Sequence, residues 1–299
     1  MTNRRTRFAR ASFVLPVVVY LALFYAYPLL YSLRTSLLDY DLGAEMTGRA
    51  PFVGLGNYLT MFRDPVFQSS VPRTLLFTVG SIVPQFLIGL ALALYFNRRF
   101  PLSRLLRSLL LVPWLLPLVV SATIWRWLFD QTNGVVDQLG AGAHLLPPHF
   151  GWLTAPPWPL VAVTIANIWI GIPFNLVILH SGLQAIPAEY YEAAQLDGAG
   201  RWARFRHITL PLLRPVIAIV LMLGLIYTLK VFDIIYIMTG GGPANASQTL
   251  ATWSYNLSFS QQLFGQGAAL GNTILLISLA VAIVYIRSTT SRTEAADAR

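Results

Sequence analysis

The chain has 299 residues, of which 56% are hydrophobic and only 11% charged, and it carries a formal net charge of +9. A charged fraction this far below the roughly 25% of soluble domains excludes a water-soluble globule and leaves a polytopic membrane protein. Cysteine is absent, so disulfides, thiolate metal sites and cysteine nucleophiles are excluded together.

Crossing a hydrocarbon core of about 30 Å takes about 20 apolar residues. Six segments meet that test: 13–33, 74–96, 108–125, 158–179, 215–238 and 267–286. The first follows Arg4, Arg5, Arg7 and Arg10, as in a signal peptide. Its apolar run exceeds an h-region and no small-x-small site follows, so it reads as a retained span. The 35–72 segment, with Asp39, Asp41, Glu45, Gly54 and Asp64-Pro65, reads as a turn-rich external loop holding a short amphipathic helix near 57–62. The 126–157 loop, with Asn133-Gly134, Pro147-Pro148 and Pro156-Pro157, and the 239–266 loop, with Gly240-Gly241-Gly242-Pro243, are external too. Pro16, Pro28, Pro84, Pro113, Pro117 and Pro173 fall inside predicted spans. Prolines there either kink helices that line a cavity or reflect the general frequency of proline in membrane helices.

Orientation follows from the basic residues, which accumulate in short cytoplasmic segments. Besides the four N-terminal arginines, the 97–107 loop has Arg98, Arg99, Arg104 and Arg107, and the 180–214 loop has Arg201, Arg204, Arg206 and Arg214. The C-terminus has Arg287, Arg292 and Arg299. The opposite loops carry Arg34, Arg49, Arg63, Arg73 and Arg126, mostly near span ends. Both termini and the 180–214 loop are therefore expected inside. The positive charge is this orientation signal and needs no nucleic acid to explain it.

The 180–214 loop is polar and helix-forming in a chain that otherwise faces lipid. Pro187 suits a first turn, Glu189 and Glu192 suit the positive end of a helix dipole, and Gly198 suits a left-handed C-terminal cap, so 188–197 is predicted as a short helix. A second helix over 201–207 runs into Leu210-Pro211 and the next span. Ala193 and Ala194 leave one side low enough for another protein's cleft, with Tyr190, Tyr191 and Leu196 as anchoring bulk.

Glu192-Ala193-Ala194, Asp197-Gly198 and then Ile208-Thr209-Leu210-Pro211, between two spans on the basic side, resemble the permease subunits of binding-protein-dependent ABC importers. Phe232-Asp233 with Thr239-Gly240-Gly241-Gly242-Pro243, Phe52-Val53-Gly54-Leu55-Gly56-Asn57-Tyr58 and Asn167-x-Trp169-x-Gly171-x-Pro173 resemble the carbohydrate-import branch, related to maltose and glycerol-phosphate permeases. The resemblance covers nearly the whole chain but lacks the large external insert of the enteric maltose subunit. It implies an all-α, six-helix, type I importer permease fold in the bacterial inner membrane. Residues 1–69 would form the tail, first helix and external loop, 70–287 the transport domain with its coupling loop at 187–211, and 288–299 a cytoplasmic tail. It implies that Glu189, Glu192, Ala193, Ala194, Asp197, Gly198, Ile208, Leu210 and Pro211 engage a separate ATPase. The partners implied are a second permease, an ATPase dimer that binds ATP and magnesium, and an extracytoplasmic sugar-binding protein.

A P-loop needs Gly-Lys-Ser/Thr, and the sole lysine, Lys230, precedes Val231, so no ATPase, catalytic residue or resident cofactor is expected in this chain. Lys230 and Asp233 lie three apart, hence on one face of the fifth span. They either line the pathway or snorkel to the outer surface. Sugars present hydroxyls around an apolar ring face, so a site mixes amides and hydroxyls with aromatics. Trp114, Asn167, Trp169, Phe174, Tyr227 and Thr228 supply that mixture, and each aromatic can alternatively serve helix packing or an interfacial belt. By resemblance, the positions matching maltose-type contacts are Trp114, Leu118, Asn167, Ile170, Gly171, Phe174, Tyr227, Thr228 and Val231. His144, His149, His180 and His207 have no metal-type partner at i+4, and no metal site is expected. A glycerol-phosphate importer, which would want Arg126 or Lys230 in the cavity, and an ion-coupled secondary transporter remain as rivals.

Overall fold

The computed structural model describes residues 14–98 and 100–297. The predicted roles of Arg4, Arg5, Arg7, Arg10, Phe13, Arg99 and Arg299 lie outside the described residues. Among those described the fold is all-α, with no β pairing beyond a single bridge between Leu38 and Phe52. In chain order the helices are α1 (Val14–Ser36), α2 (Leu42–Thr47), α3 (Gly56–Arg63), α4 (Pro65–Phe96), α5 (Ser103–Leu115) and α6 (Leu118–Leu128). There follow α7 (Val135–Gly142), α8 (Trp158–Gln184), α9 (Ala188–Leu196), α10 (Arg201–Leu229), α11 (Asp233–Thr239), α12 (Leu250–Tyr255) and α13 (Phe264–Asp297). By length and composition α1, α4, α8, α10 and the Phe264–Tyr285 part of α13 can each cross a membrane, and α5 with α6 makes a sixth, broken span.

Several boundaries differ from the sequence reading. Helix α4 begins at Pro65 rather than at 74, because Asp64 accepts the Val66 N–H at 2.9 Å and proline fits a first turn that has no partner for its missing N–H. The predicted 108–125 span is bent by 95° between Leu115 and Leu118. Leu116 and Pro117 are both extended there, at ψ 141° and 136°, as the clash of a proline ring with the preceding residue favours. Pro84 and Pro173, by contrast, sit within continuous helices. The predicted 215–238 span is shifted: α10 starts at Arg201 and ends at Leu229, and α11 is separate. Two five-residue π-helical segments, Ala22–Ala26 and Phe205–Thr209, stand just ahead of Pro28 and Pro211. A proline ring clashes with the carbonyl four residues back, and a wider turn relieves that clash without breaking the helix.

The chain divides into two compact units. One comprises Met1–Gln68 with Trp253–Leu275. Within it, the 37–56 stretch is held by more than turns: buried Asn57 donates to the carbonyls of Ser36 and Leu38 at 2.9 and 2.8 Å. Ser36 and Tyr58 hydroxyls meet at 2.9 Å, and the Asp64 carboxylate accepts the Trp253 indole N–H at 2.7 Å. The Phe52–Tyr58 motif thus has a structural role, because Asn57 satisfies carbonyls that the end of α1 leaves without helical partners.

In the other unit, Ser69–Thr252 with Leu276–Arg299, the described residues form two apolar cores that matter here. Phe77 of α4, Ala122 of α6 and Phe129 just beyond its end, Ala162 and Ala166 of α8 and Ile234 and Ile235 of α11 form the first. Ala93 and Phe96 of α4, Leu176, Leu179 and Leu183 of α8 and Leu213 and Val220 of α10 form the second. Along α4 these cores are separated by about 24 Å of helix rise, with Gln85 midway. Phe77 is 1% exposed and its neighbour Leu76 is 65% exposed. Phe77→Ala should therefore cost about 3–5 kcal/mol, and Leu76→Ala less than about 1 kcal/mol, in thermal unfolding of the detergent-solubilised protein. Equal costs would contradict this packing.

Candidate functional site

Between the two cores, α4, α8 and α10 enclose a cavity of about 380 Å³, with the α5–α6 break on its wall. Its lining brings together all nine residues that the resemblance singled out: Trp114, Leu118, Asn167, Ile170, Gly171, Phe174, Tyr227, Thr228 and Val231. Gln85, Leu116 and Gly224 also line it and were missed from sequence. Three aromatic rings form a chain on the wall. Trp114 meets Phe174 with centroids 6.0 Å apart, and Phe174 meets Tyr227 at 6.2 Å and 87°.

The polar groups belong to one helix crossing. Gln85 is 4% exposed and donates through Nε2 to the Asn167 carbonyl at 2.9 Å. Its amide lies where a Cβ on residue 171 would sit, the nearest atom being 2.3 Å from that position, so Gly171 is what admits it. Asn167 Nδ2 is buried with no hydrogen-bond partner among the described residues, and Thr228 is buried on the α10 side. An unpaired buried amide is costly unless water or a ligand meets it. No charged side chain is among the described residues lining this cavity.

Trp169, Lys230 and Asp233 are not part of the lining. Trp169 packs edge-on against Trp125, centroids 5.9 Å apart. Lys230 caps the C-terminal end of α10 and Asp233 opens α11, with both side chains exposed. The helix ends between them, so the single shared face expected from their spacing does not form.

A second cavity of about 560 Å³ lies where α6 meets α11, lined by Arg126, Asp130, Gln131, Thr154, Tyr236 and others. Arg126 donates to the Ile237 carbonyl at 3.3 Å. The backbone N–H groups of Asn133 and Thr132 hold the Asp130 carboxyl below its ordinary value.

The polar elbow is a helix, a turn and a helix. Pro187 precedes α9, Glu189 lies in its first turn and Asp197 closes it. Gly198 follows at φ +77°, the left-handed conformation that ends a helix without steric penalty in glycine, while Ala199 N–H returns to the Ala194 carbonyl at 2.8 Å. Tyr191 ties α9 to the next helix through a 3.0 Å hydroxyl contact with Thr209. Glu192, Ala193 and Leu196 face outward, Leu196 at 90% exposure. Ile208, Leu210 and Pro211 lie within α10, which continues unbroken from the elbow to Tyr227 and Thr228 on the cavity wall.

A family model described as "Binding-protein-dependent transport system inner membrane component" matches residues 85–289. The chain is 36% identical to the sulfoquinovosyl glycerol transport system permease protein SmoG of Agrobacterium fabrum, over 91% of this chain and 87% of that one. It is 37% identical to the trehalose/maltose transport system permease protein MalF of Thermococcus litoralis, over 79% of each. Its fold is that of a chain in a bacterial ABC transporter that imports the acidic polysaccharide alginate, with TM-score 0.81, 22% identity and 96% of both chains covered.

Gly198→Val should strain the elbow by about 1–2 kcal/mol, the penalty of a left-handed backbone for an L-residue, and Gly198→Asn by less. Limited trypsin digestion at Arg201 should accelerate for the valine variant. Unchanged digestion would argue against the cap.

Proposed function

The chain belongs to the family of binding-protein-dependent transport system inner membrane components, and on that footing we propose that it forms half of an ATP-driven sugar-import pore. It is a multi-pass inner-membrane permease subunit. Sugar-transport permeases among its relatives support the substrate class, and the observation that carries the reading is the uncharged cavity. Aromatic faces of Trp114, Phe174 and Tyr227 suit the apolar side of a pyranose, while Gln85, Asn167 and Thr228 suit its hydroxyls. A glycerol phosphate would leave its anion without a countercharge there, since Arg126 lines a different cavity and Lys230 lines neither. No carboxylate is among the described lining residues, which equally disfavours an ion-coupled carrier.

In this reading both termini and the elbow are cytoplasmic, and a separate ATPase dimer binds ATP and magnesium. A second permease completes the pore, and an extracytoplasmic binding protein delivers sugar. The region 70–287 is the transport domain. The ATPase cleft closes on the outward face of α9, where Glu192 and Ala193 leave room and Leu196 anchors. Its movement passes to the cavity through α10. Glu189, Glu192, Ala193, Ala194, Asp197, Gly198, Ile208, Leu210 and Pro211 act in this transmission and none performs covalent chemistry.

Reconstitution of the complex in proteoliposomes tests the reading. Labelled di- or oligosaccharide, and not glycerol 3-phosphate, should accumulate only with hydrolysable ATP. Loss of one stacking ring in Tyr227→Ala or Trp114→Ala should lower uptake roughly tenfold, the loss of about 1–1.5 kcal/mol. Glu192→Lys should preserve insertion and ATP hydrolysis while transport falls. Uptake without ATP, or wild-type transport by Glu192→Lys, would overturn the scheme.

A further inference from the structure

We propose that the basic cavity at the shared end of α4, α5, α8 and α9 binds the phosphodiester of an anionic phospholipid. The cavity measures about 730 Å³ and is lined by Arg98, Arg104 and Arg107, by His180 and by the polar side chains of Asn97 and Gln184, among others. No carboxylate is among its described lining residues. His180 is 5% exposed, and Arg107 Nη1 lies 3.4 Å from both of its ring nitrogens. A guanidinium carries five donors and a neutral imidazole offers at most one lone pair, so most of the Arg107 donors stay open to another acceptor. Three guanidiniums lining one cavity, with no acid among its described lining residues, repel one another, and an anion among them removes that repulsion. The phosphodiester, with two free oxygens, matches a guanidinium fork.

Position selects a lipid over a soluble anion. Phe96 is the last residue of α4 and Gln184 the last of α8, so the cavity lies where two spans leave the hydrocarbon. Phe100, Leu183 and Ile186 give it an apolar wall that suits a glycerol and the first acyl carbons. Beside it a cavity of about 760 Å³ shares Asn97, Arg98 and Tyr191 and adds Arg201, Arg204 and Trp202. Trp202 is 70% exposed, and indole rings concentrate at the headgroup level. Basic pockets between spans at this depth have the composition that recognises anionic headgroups.

The first turn of α9 contributes Ala188 and Tyr191 to the wall, so the bound headgroup would steady the elbow against the α4–α5 end. That consequence rests on the proposed function, whereas the binding itself does not.

The test places the full chain, and separately the assembled complex, in phosphatidylcholine nanodiscs containing spin-labelled phosphatidylglycerol. The wild type should immobilise the labelled lipid. Replacement of Arg98, Arg104 and Arg107 by Gln should weaken that binding by roughly fivefold per arginine, with Arg49→Gln as an unaffected control. Should the triple variant fail to fold, Arg104→Gln alone, at an exposed position, should show its single increment. Immobilisation that persists undiminished in these variants would overturn the proposal. Full displacement by inorganic phosphate would assign the site to a soluble anion instead. Release of lipid on assembly would assign it to carboxylates of the partner. Because the readout is lipid mobility, a wrong substrate assignment would alter uptake and leave this result unchanged.

Discussion

The crossing of α4 and α8 at Gln85 and Gly171 constrains the rest of the transport unit. A buried side-chain amide on a membrane-spanning helix needs a hydrogen-bond partner, and here a neighbouring helix supplies it. Gln85 finds the Asn167 carbonyl, and reaches it only because residue 171 has no Cβ in the way. That close approach sets the spacing of the two helices at their midpoint. The Phe77 core and the Leu176 core can then close on either side, and the space left between them is the cavity. Interhelical hydrogen bonds in bilayers are worth about 0.6–2 kcal/mol, so the bond fixes geometry more than it adds stability.

The spans were legible because bilayer thickness demands a countable run of apolar residues, but their ends were not. Asp64 caps a helix whose first turns are polar, and a hydropathy threshold starts only at Thr74. Pro117 breaks a span whereas Pro84 and Pro173 do not, although all three present the same ring to the backbone. Pro173 is buried among neighbours that hold the helix together, and Pro117 is exposed. What a proline does inside a membrane helix is decided by packing, which the local sequence does not contain. The same limit separates Lys230 from Asp233: their spacing implies one face only if the helix continues.

The cavity was partly legible. Aromatic, amide and hydroxyl residues on three predicted spans suggested a mixed surface, and the family likeness selected positions that the fold gathers. Trp169 belongs to the same chemical class but turns toward Trp125, a choice made by helix rotation. Gln85 carried a signal that hydropathy averaging hides. Ser70, Thr74, Thr78, Ser81 and Gln85 recur at intervals of three and four along α4, and all are buried. A polar stripe at helical period in an apolar span marks the side turned from lipid. Gly224 gave no comparable sign, since a wall residue without a side chain is visible only once its surroundings are in place.

The unbroken course of α10 has a geometric consequence. From Arg201 to Tyr227 the axis extends about 39 Å. Pivoting this rod by about 5° at the elbow would displace its far end by about 3 Å, a distance comparable to one hydrogen bond. The same pivot moves Leu213 by about 1.6 Å and Val220 by about 2.5 Å, so the packing of α10 slides along with it while the motion at Tyr227 is enough to pull a hydroxyl away from a sugar. Amplification of this kind needs no hinge within the membrane, only stiffness.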